Sequence, residues 1–165
     1  MKLDFKAVKA EADQIVLRDL AYEIWNEFFP PIIGQSQVDY MLEKFSSLEA
    51  IKNQSQEGYQ YYFIVLDGQN AGYLTFKISD EELFLSKLYL HANYRGKGIA
   101  KKAMRFLLDC ATEQDVDNIR LTVNRDNVNS IAAYEKMGFE KVDEQITDIG
   151  QGYVMDDYIM RLFIR

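Results

Sequence analysis

The chain has little of three things on which particular protein classes depend: cysteine, proline and long apolar runs. Its 165 residues include one cysteine and two prolines, which excludes an internal disulfide framework and argues against fibrous or disordered classes. No apolar run approaches the roughly 20 residues of a membrane-spanning helix. The first residues also lack the apolar core of a signal peptide. The sequence therefore predicts a cytoplasmic protein with no membrane segment.

Positive charge is also scarce relative to negative charge. The chain carries 19 Lys and Arg against 26 Asp and Glu, for a formal net charge of −7. Nucleic-acid binding depends on clustered Lys and Arg, so this balance argues against a nucleic-acid partner. An acidic surface attracts amines and polyamines instead. It also serves solubility alone, and both explanations stay open.

Hydrophobic periodicity predicts a single α/β domain over residues 1–165. Two prolines, Pro30 and Pro31, are expected to stop the first helix. A hairpin is predicted at Asp67-Gly68-Gln69-Asn70. Cys110 lies on an apolar helix face and is predicted to be a core residue. The predicted helices are 11–29, 37–45, 48–54 and 99–111, and the predicted strands are 3–8, 59–66, 71–78, 83–90, 119–124, 141–147 and 153–164.

A glycine-rich loop links the fourth predicted strand to the helix that follows it. Gly96 and Gly98 allow the backbone to approach a ligand closely. The first turn of a helix has N–H groups without internal partners, and the helix dipole adds partial positive charge. The loop therefore has the character of a phosphate site, although an ordinary glycine-rich turn would carry the same glycines.

The residues around these glycines distinguish three kinds of phosphate loop. A P-loop needs Gly-Lys-Ser/Thr, but here Gly98 follows Gly96-Lys97. A dinucleotide fingerprint needs a third glycine where Lys101 stands. The pattern that is left is Arg95-x-x-Gly98-x-Ala100.

A second segment follows the predicted strand 119–124. It begins at Asn127, a favourable N-cap residue, and ends in Tyr134-Glu135-Lys136-x-Gly138-Phe139. Together with Arg95-x-x-Gly98-x-Ala100, in this order, it resembles the two signatures of the GNAT superfamily of acetyl-coenzyme A-dependent N-acetyltransferases. The order of predicted strands and helices is similar to that of the superfamily over essentially the whole chain.

The resemblance implies a mixed, mostly antiparallel central sheet flanked by helices, with the fourth and fifth strands splayed to hold acetyl-CoA. The main chain of the fourth strand would pair with the pantetheine arm. The loop N–H groups would bind the pyrophosphate beside a flanking cation, and two polar side chains would hold the arm from the other side. The positions that match the pantetheine-binding strand are Leu88, Tyr89 and Leu90. Those that match the pyrophosphate loop are Gly96, Lys97, Gly98, Ile99 and Ala100, with Arg95 as the flanking cation. Those that match the two polar side chains are Asn127 and Ser130.

The same resemblance implies direct attack of an amine on the thioester, with Tyr134 as the partner of the departing thiolate. The base is not evident, because Ser86 stands where several relatives carry Glu. Glu82, Asp156 and Asp157 are candidates, and His91 is more consistent with turning the chain into the loop. A water chain ending on backbone and Tyr89 is the preferred interpretation.

The acceptor is a primary amine on this interpretation. The tail from Gly150 to Tyr158 resembles a subgroup that includes spermidine/spermine-type acetyltransferases, and Asp156 and Asp157 could pair with a polyamine. A peptide or protein amino group and an antibiotic amine are rival acceptors. A catalytically idle acyl-CoA-binding or regulatory domain is the alternative from another class. No metal is implied, and a homodimer is compatible with the resemblance.

Overall fold

The computed structural model describes residues 1–164, which divide into two compact units. The first unit comprises Met1–Lys77 and Lys87–Ala103. The second comprises Ile78–Ser86 and the chain from Met104 onward. The strand Leu83–Leu90 and the helix Ile99–Glu113 each have residues in both units.

The first unit contains strands β1 to β3, helices α1 to α4 and the end of β4. Strands β1 and β2 pair antiparallel, as do β2 and β3. Helix α1 carries Glu11 and Asp13 in its first turn, where acidic side chains favour the helix dipole. The element bounds are β1 (Leu3–Ala7), α1 (Glu11–Phe28), α2 (Pro30–Ile33), α3 (Gln35–Phe45), α4 (Leu48–Gln56), β2 (Gln60–Leu66), β3 (Gln69–Ile78) and β4 (Leu83–Leu90).

The core of the first unit forms where one stripe of α1 meets β2 and β3. The stripe recurs at helical spacing, as the sequence predicts, and its members are almost fully buried with aromatic residues of the two strands. The cluster consists of Leu17, Leu20, Ala21, Ile24, Ile51, Tyr61, Phe63 and Tyr73. This packing fixes α1 against the sheet.

The predicted β2–β3 hairpin is present as a two-residue turn. Leu66 pairs with Gln69, and the two residues between them have positive φ, 50° at Asp67 and 83° at Gly68. Two positive φ angles define the type I′ turn, whose twist matches that of the strands.

Gly72 on β3 allows an unusually close approach of β4. A methyl carbon at this position would overlap the carbonyl oxygen of Tyr89 and lie 3.0 Å from the Cα of Leu90. Backbone cannot give way as a flexible side chain can, so only glycine fits here. The absent side chain sets how β4 lies along β3.

The second unit contains the start of β4, most of α5 (Ile99–Glu113), β5 (Asn118–Asn124), α6 (Val128–Lys136), β6 (Glu140–Gly150) and β7 (Tyr153–Phe163). Strand β4 pairs with β5 in parallel, and β7 pairs antiparallel with both β5 and β6. The strand order of the seven-stranded sheet is β1-β2-β3-β4-β5-β7-β6. The predicted fold class, a mixed and mostly antiparallel sheet with helices, is confirmed.

The prediction that Pro30 and Pro31 stop the first helix is confirmed, because α1 ends at Phe28. Pro30 then begins the short helix α2, since proline suits the first helical position, where its missing N–H is not needed. A 3-10 turn at Ala92–Tyr94 was not predicted. Cys110 is only half-buried.

No helix among residues 1–164 is both long enough and apolar enough to cross a membrane.

Candidate functional site

The glycine-rich loop lies exposed in the first unit, between the 3-10 turn and α5. Gly96 and Gly98 both have φ of 76°, a conformation that L side chains rarely adopt, with open space where a Cβ would be. Within residues 1–164, the backbone N–H groups of Gly96 to Lys101 have no hydrogen-bond partner, and pairing resumes where Lys102 N donates to Gly98 O at 3.3 Å. The loop therefore presents a row of donors at a helix N-terminus, which suits an anion.

Arg95, the predicted flanking cation, is held by the protein. Its Nε and Nη2 donate to the carbonyl oxygen of Leu90 at 3.1 and 2.9 Å. Its guanidinium also lies 4.6 Å from the ring centroid of Phe28. The positive charge is thus fixed beside the loop between β4 and the end of α1.

His91, at the end of β4, lies between two carboxylates of α1. Its Nε2 is 3.0 Å from Glu23 Oε1, and its Nδ1 is 3.1 Å from Glu27 Oε2. The other oxygen of Glu27 accepts from the backbone N–H of Ala92 at 2.9 Å. This agrees with His91 as a residue that turns the chain into the loop. Its two partners were not predicted, although the spacing of Glu23 and Glu27 places them one turn apart on α1.

The peptide groups of β4 alternate in direction, which separates the three strand residues predicted to bind pantetheine. His91 N donates to Ala71 O of β3 at 2.8 Å. Since alternate residues of a strand face the same neighbour, the peptide groups of Tyr89 also face β3, whereas those of Leu88 and Leu90 face away from it. Leu88 and Leu90 are therefore the positions whose main chain faces away from β3. The carbonyl oxygen of Leu90 already accepts from Arg95, which leaves the N–H of Leu90 for a ligand.

Tyr89 is surrounded by aromatic rings. Its ring centroid lies 5.5 Å from that of Trp25, 5.7 Å from Phe29 and 5.6 Å from Tyr73. Such edge and tilted contacts stabilise aromatic clusters. Tyr89 therefore belongs to an aromatic cluster at the end of α1.

Lys87 of β4 forms a polar cluster that the sequence did not predict. Its ammonium donates to Phe45 O, Gln54 Oε1 and the Tyr61 hydroxyl at 3.2, 3.1 and 3.0 Å. Burial lowers the pKa of Lys87 to about 8. All three donors of the ammonium are used, so the cluster joins β4 to α3, α4 and β2.

In the second unit, Asn127 stands at the N-terminus of α6 but does not cap it with its side chain. It is 7% exposed, and within residues 1–164 its side-chain amide has no hydrogen-bond partner. An amide that makes no hydrogen bond to the protein can donate to a ligand and accept from it. Ser130, one turn later, is half-buried and also has no partner within residues 1–164.

Tyr134 lies on α6, with its ring centroid 5.6 Å from that of Phe139. The side chain keeps intermediate exposure, yet burial raises the pKa of Tyr134 to about 12. Its hydroxyl has no hydrogen-bond partner among the described residues. The group is therefore a neutral donor at physiological pH and is available to a ligand.

Asp156 and Asp157 have different surroundings, so they cannot act together as one acidic pocket. Successive residues of a strand point to opposite faces of the sheet. Asp156 Oδ1 accepts from Arg125 Nε at 3.2 Å. Asp157 is 6% exposed, and its pKa is raised from 3.8 to about 6 by burial and then by the charge of Asp156. The prediction that both carboxylates pair with one polyamine is corrected on this ground.

The raised pKa of Asp157 has a consequence for stability. Ionisation of this carboxyl is disfavoured in the folded state, so it lowers the free energy of unfolding. This loss of stability is absent below pH 3.8, the ordinary pKa, and complete above about pH 6. We expect Asp157→Asn to be more stable than the wild type at pH 7 by about 3 kcal/mol, with the advantage vanishing near pH 4. Thermal unfolding of both proteins across this pH range measures the difference in stability. A stability difference that does not change with pH would contradict it.

The chain belongs to the acetyltransferase (GNAT) family, whose sequence pattern matches residues 18–139. Streptothricin acetyltransferase from Streptomyces lavendulae is 33% identical over 75 residues, which are 44% of this chain and 40% of that protein. The chain thus spans less than half the length of that relative. Among residues 1–164, no cluster of His, Cys, Asp and Glu could hold a metal ion.

Two solved structures show the same fold. PaiA N-acetyltransferase from Thermoplasma acidophilum, solved in complex with coenzyme A, superposes with a TM-score of 0.81 at 23% identity and 99% coverage of both chains. The ribosomal-protein-S18-alanine N-acetyltransferase from Escherichia coli has a TM-score of 0.71 at 18% identity, covering 99% of this chain and 94% of that one.

Proposed function

We propose that the protein transfers the acetyl group of acetyl-CoA to a primary amine. The observation that carries the proposal is the row of unpartnered N–H groups from Gly96 to Lys101 at the N-terminus of α5. Because these donors belong to the backbone, they suit a pyrophosphate whatever the side chains beside them. We also propose that residues 1–165 act as one domain, and that it works in the cytoplasm, which suits its single cysteine.

Within this proposal the pyrophosphate is bound by backbone N–H groups of the loop, with Arg95 as the neighbouring cation. The main chain of Leu88 and Leu90 pairs with the pantetheine arm, as an added strand pairs with a sheet. The amide of Asn127 and the hydroxyl of Ser130 donate to the arm or accept from it. Their lack of protein partners supports this assignment.

Tyr134 acts as a hydrogen-bond donor to the departing thiolate. A thiol ordinarily has a pKa near 8.5, whereas that of Tyr134 is about 12. Full proton transfer from the phenol to the thiolate is therefore uphill by roughly 5 kcal/mol. Donation without early transfer stabilises the developing charge at less cost.

The experiment that tests the proposal is acetyl-CoA consumption by the purified protein against a panel of primary amines. Free thiol release that depends on both the protein and an amine is the expected result. Tight CoA binding without thiol release for any amine would favour the idle acyl-CoA-binding domain. The unpartnered hydroxyl of Tyr134 favours the enzyme, since a binding domain has no need of a thiolate partner.

We propose a small cationic amine, such as a polyamine, as the acceptor, ahead of a peptide amino group. The net charge of −7 supports this choice, because an acidic protein attracts cations over the Debye length. We expect kcat/KM for spermidine to fall several-fold as ionic strength rises from about 10 to 150 mM, while kcat/KM for a singly charged alkylamine changes less. Equal salt dependence for the two amines would contradict the preference.

A further inference from the structure

Three carboxylates of the second unit, all near β5 and β7, are paired with arginine, and a fourth is not. Glu82 accepts from Arg120 at 2.7 Å and lies 3.4 Å from Arg161. Asp156 and Glu144 share Arg125, at 3.2 and 3.0 Å. These three carboxylates are held in ion pairs with arginine.

Asp157 differs from them in both burial and pairing. The residue is 6% exposed, and among residues 1–164 its carboxylate has neither a hydrogen-bond nor an ion-pair partner. Ionising a largely buried carboxylate that no cation pairs with is costly. Burial raises its pKa to about 6, which brings it close to the range of an effective base at neutral pH.

The register of the sheet places Asp157 beside the second family signature. Asp157 is opposite Asn124, the last residue of β5, and on its other side is opposite Gln145 of β6. Opposite residues of antiparallel strands share a face. The backbone carbonyl of Asn124 in turn accepts from the N–H of Asn127 at 3.0 Å, so the carboxylate lies at the strand end from which α6 begins.

We propose that Asp157 is the general base that removes a proton from the acceptor ammonium, an inference that rests on the proposed acetyltransferase function. This differs from the water chain ending at Tyr89, since Tyr89 lies among aromatic rings and supplies no carboxylate.

The Asp157 carboxylate takes one proton from the ammonium, and the freed nitrogen lone pair forms the C–N bond to the thioester carbonyl carbon. The C–S bond breaks, and the thiolate leaves with a hydrogen bond from Tyr134. The second nitrogen proton, lost as the amide forms, ends on the thiolate sulfur, and Asp157 returns its own proton to water.

Several charged groups lie near Asp157 in the register of the sheet. On its own face, the nearest in register are Asp143 of β6, Arg161 of β7 and Arg120 of β5. On the opposite face, Asp156 and Glu144 pair with Arg125, and the charge of Asp156 still contributes to the raised pKa of Asp157. The base in the free enzyme is therefore expected to titrate in the profile of kcat/KM as a single group near pH 6.

The test compares the pH profiles of wild type, Asp157→Asn and Asp156→Asn with an alkylamine of pKa near 10.4. In the wild type, kcat/KM should rise to about pH 6 and then stay level until the amine titrates. Asp157→Asn should fall by about 100- to 10,000-fold at pH 7 and rise tenfold per pH unit towards the pKa of the amine. Asp156→Asn should keep the level region, with the rising limb moved to lower pH, because the charge of Asp156 contributes to the raised pKa of Asp157.

A second acceptor, with an α-amino group of pKa near 8, should lose less activity in Asp157→Asn, because more of it is already neutral. CoA affinity, measured by titration calorimetry, should be the same in all three proteins. A wild-type profile that lacks the level region, or an Asp157→Asn variant with the wild-type profile, overturns the role of Asp157. Absence of thiol release from the wild type with every amine overturns the proposed function itself, and this inference with it.

Discussion

Tyr134→Phe is expected to lower kcat by about a hundred- to a thousand-fold and to leave the affinity for CoA unchanged. The substitution removes one hydroxyl, which has no protein partner among residues 1–164, and keeps the ring that packs on Phe139. An interaction made only as charge develops on sulfur appears in kcat and not in binding. Single-turnover kinetics separates this chemical step from product release.

A matched control is Tyr22→Phe on α1. The substitution removes a hydroxyl that donates a hydrogen bond to Glu43 of α3 at 3.4 Å. It should leave kcat within about two-fold, as expected for a surface change. An acyl donor with a more acidic thiol should show a smaller loss in Tyr134→Phe, because a better leaving group needs less stabilisation. An unchanged kcat in single turnovers would remove Tyr134 from the mechanism.

Gly98→Val is expected to abolish CoA binding while the protein stays folded. At a φ of 76° a β-branched residue is strained by about 1–3 kcal/mol, and its side chain would project from the surface on which the pyrophosphate is proposed to lie. Lys97→Ala should change the affinity little, since the donors are backbone N–H groups. Isothermal titration with CoA measures both variants.

Gly152→Val is the matched control for the strain. Gly152 has a φ of 82°, has open space around it and lies in the two-residue turn between β6 and β7. Both valine variants should lose similar thermal stability, but only Gly98→Val should lose CoA binding. If Lys97→Ala weakened binding more than Gly98→Val, the backbone would not be the main determinant of binding.

Much of the fold could be predicted from the sequence because its signals are local. Strand β4 begins and ends where alternation and the flanking turn place it, and the glycine of the β2–β3 turn specifies its type. The bounds of α3, α4 and β6 differ by a few residues, since helix and strand ends depend on weak terminal interactions. The 3-10 turn at Ala92–Tyr94 has no comparable local signal.

In the candidate site, too, features that depend on local sequence could be predicted and features that depend on distant residues could not. The loop could be predicted, because glycine spacing and a following helix suffice to leave donors unpaired. The burial of Asp157, the pairing of Asp156 with Arg125 and the cluster around Lys87 could not, because each depends on residues distant in sequence. Two adjacent acidic residues look equivalent in a sequence, whereas a strand turns them to opposite faces.

The anchoring of His91 and Ala92 to Glu23 and Glu27 bears on the entropy of ligand binding. A segment that closes around an anion loses backbone freedom, at about 1–2 kcal/mol for each residue ordered on binding. In this protein, contacts with α1 fix the chain before the loop, and helix α5 fixes the chain after it. Only the few residues around Gly96 and Gly98 therefore lose conformational entropy when an anion binds. The loop is in this sense preorganised, and most of its binding energy can appear as affinity.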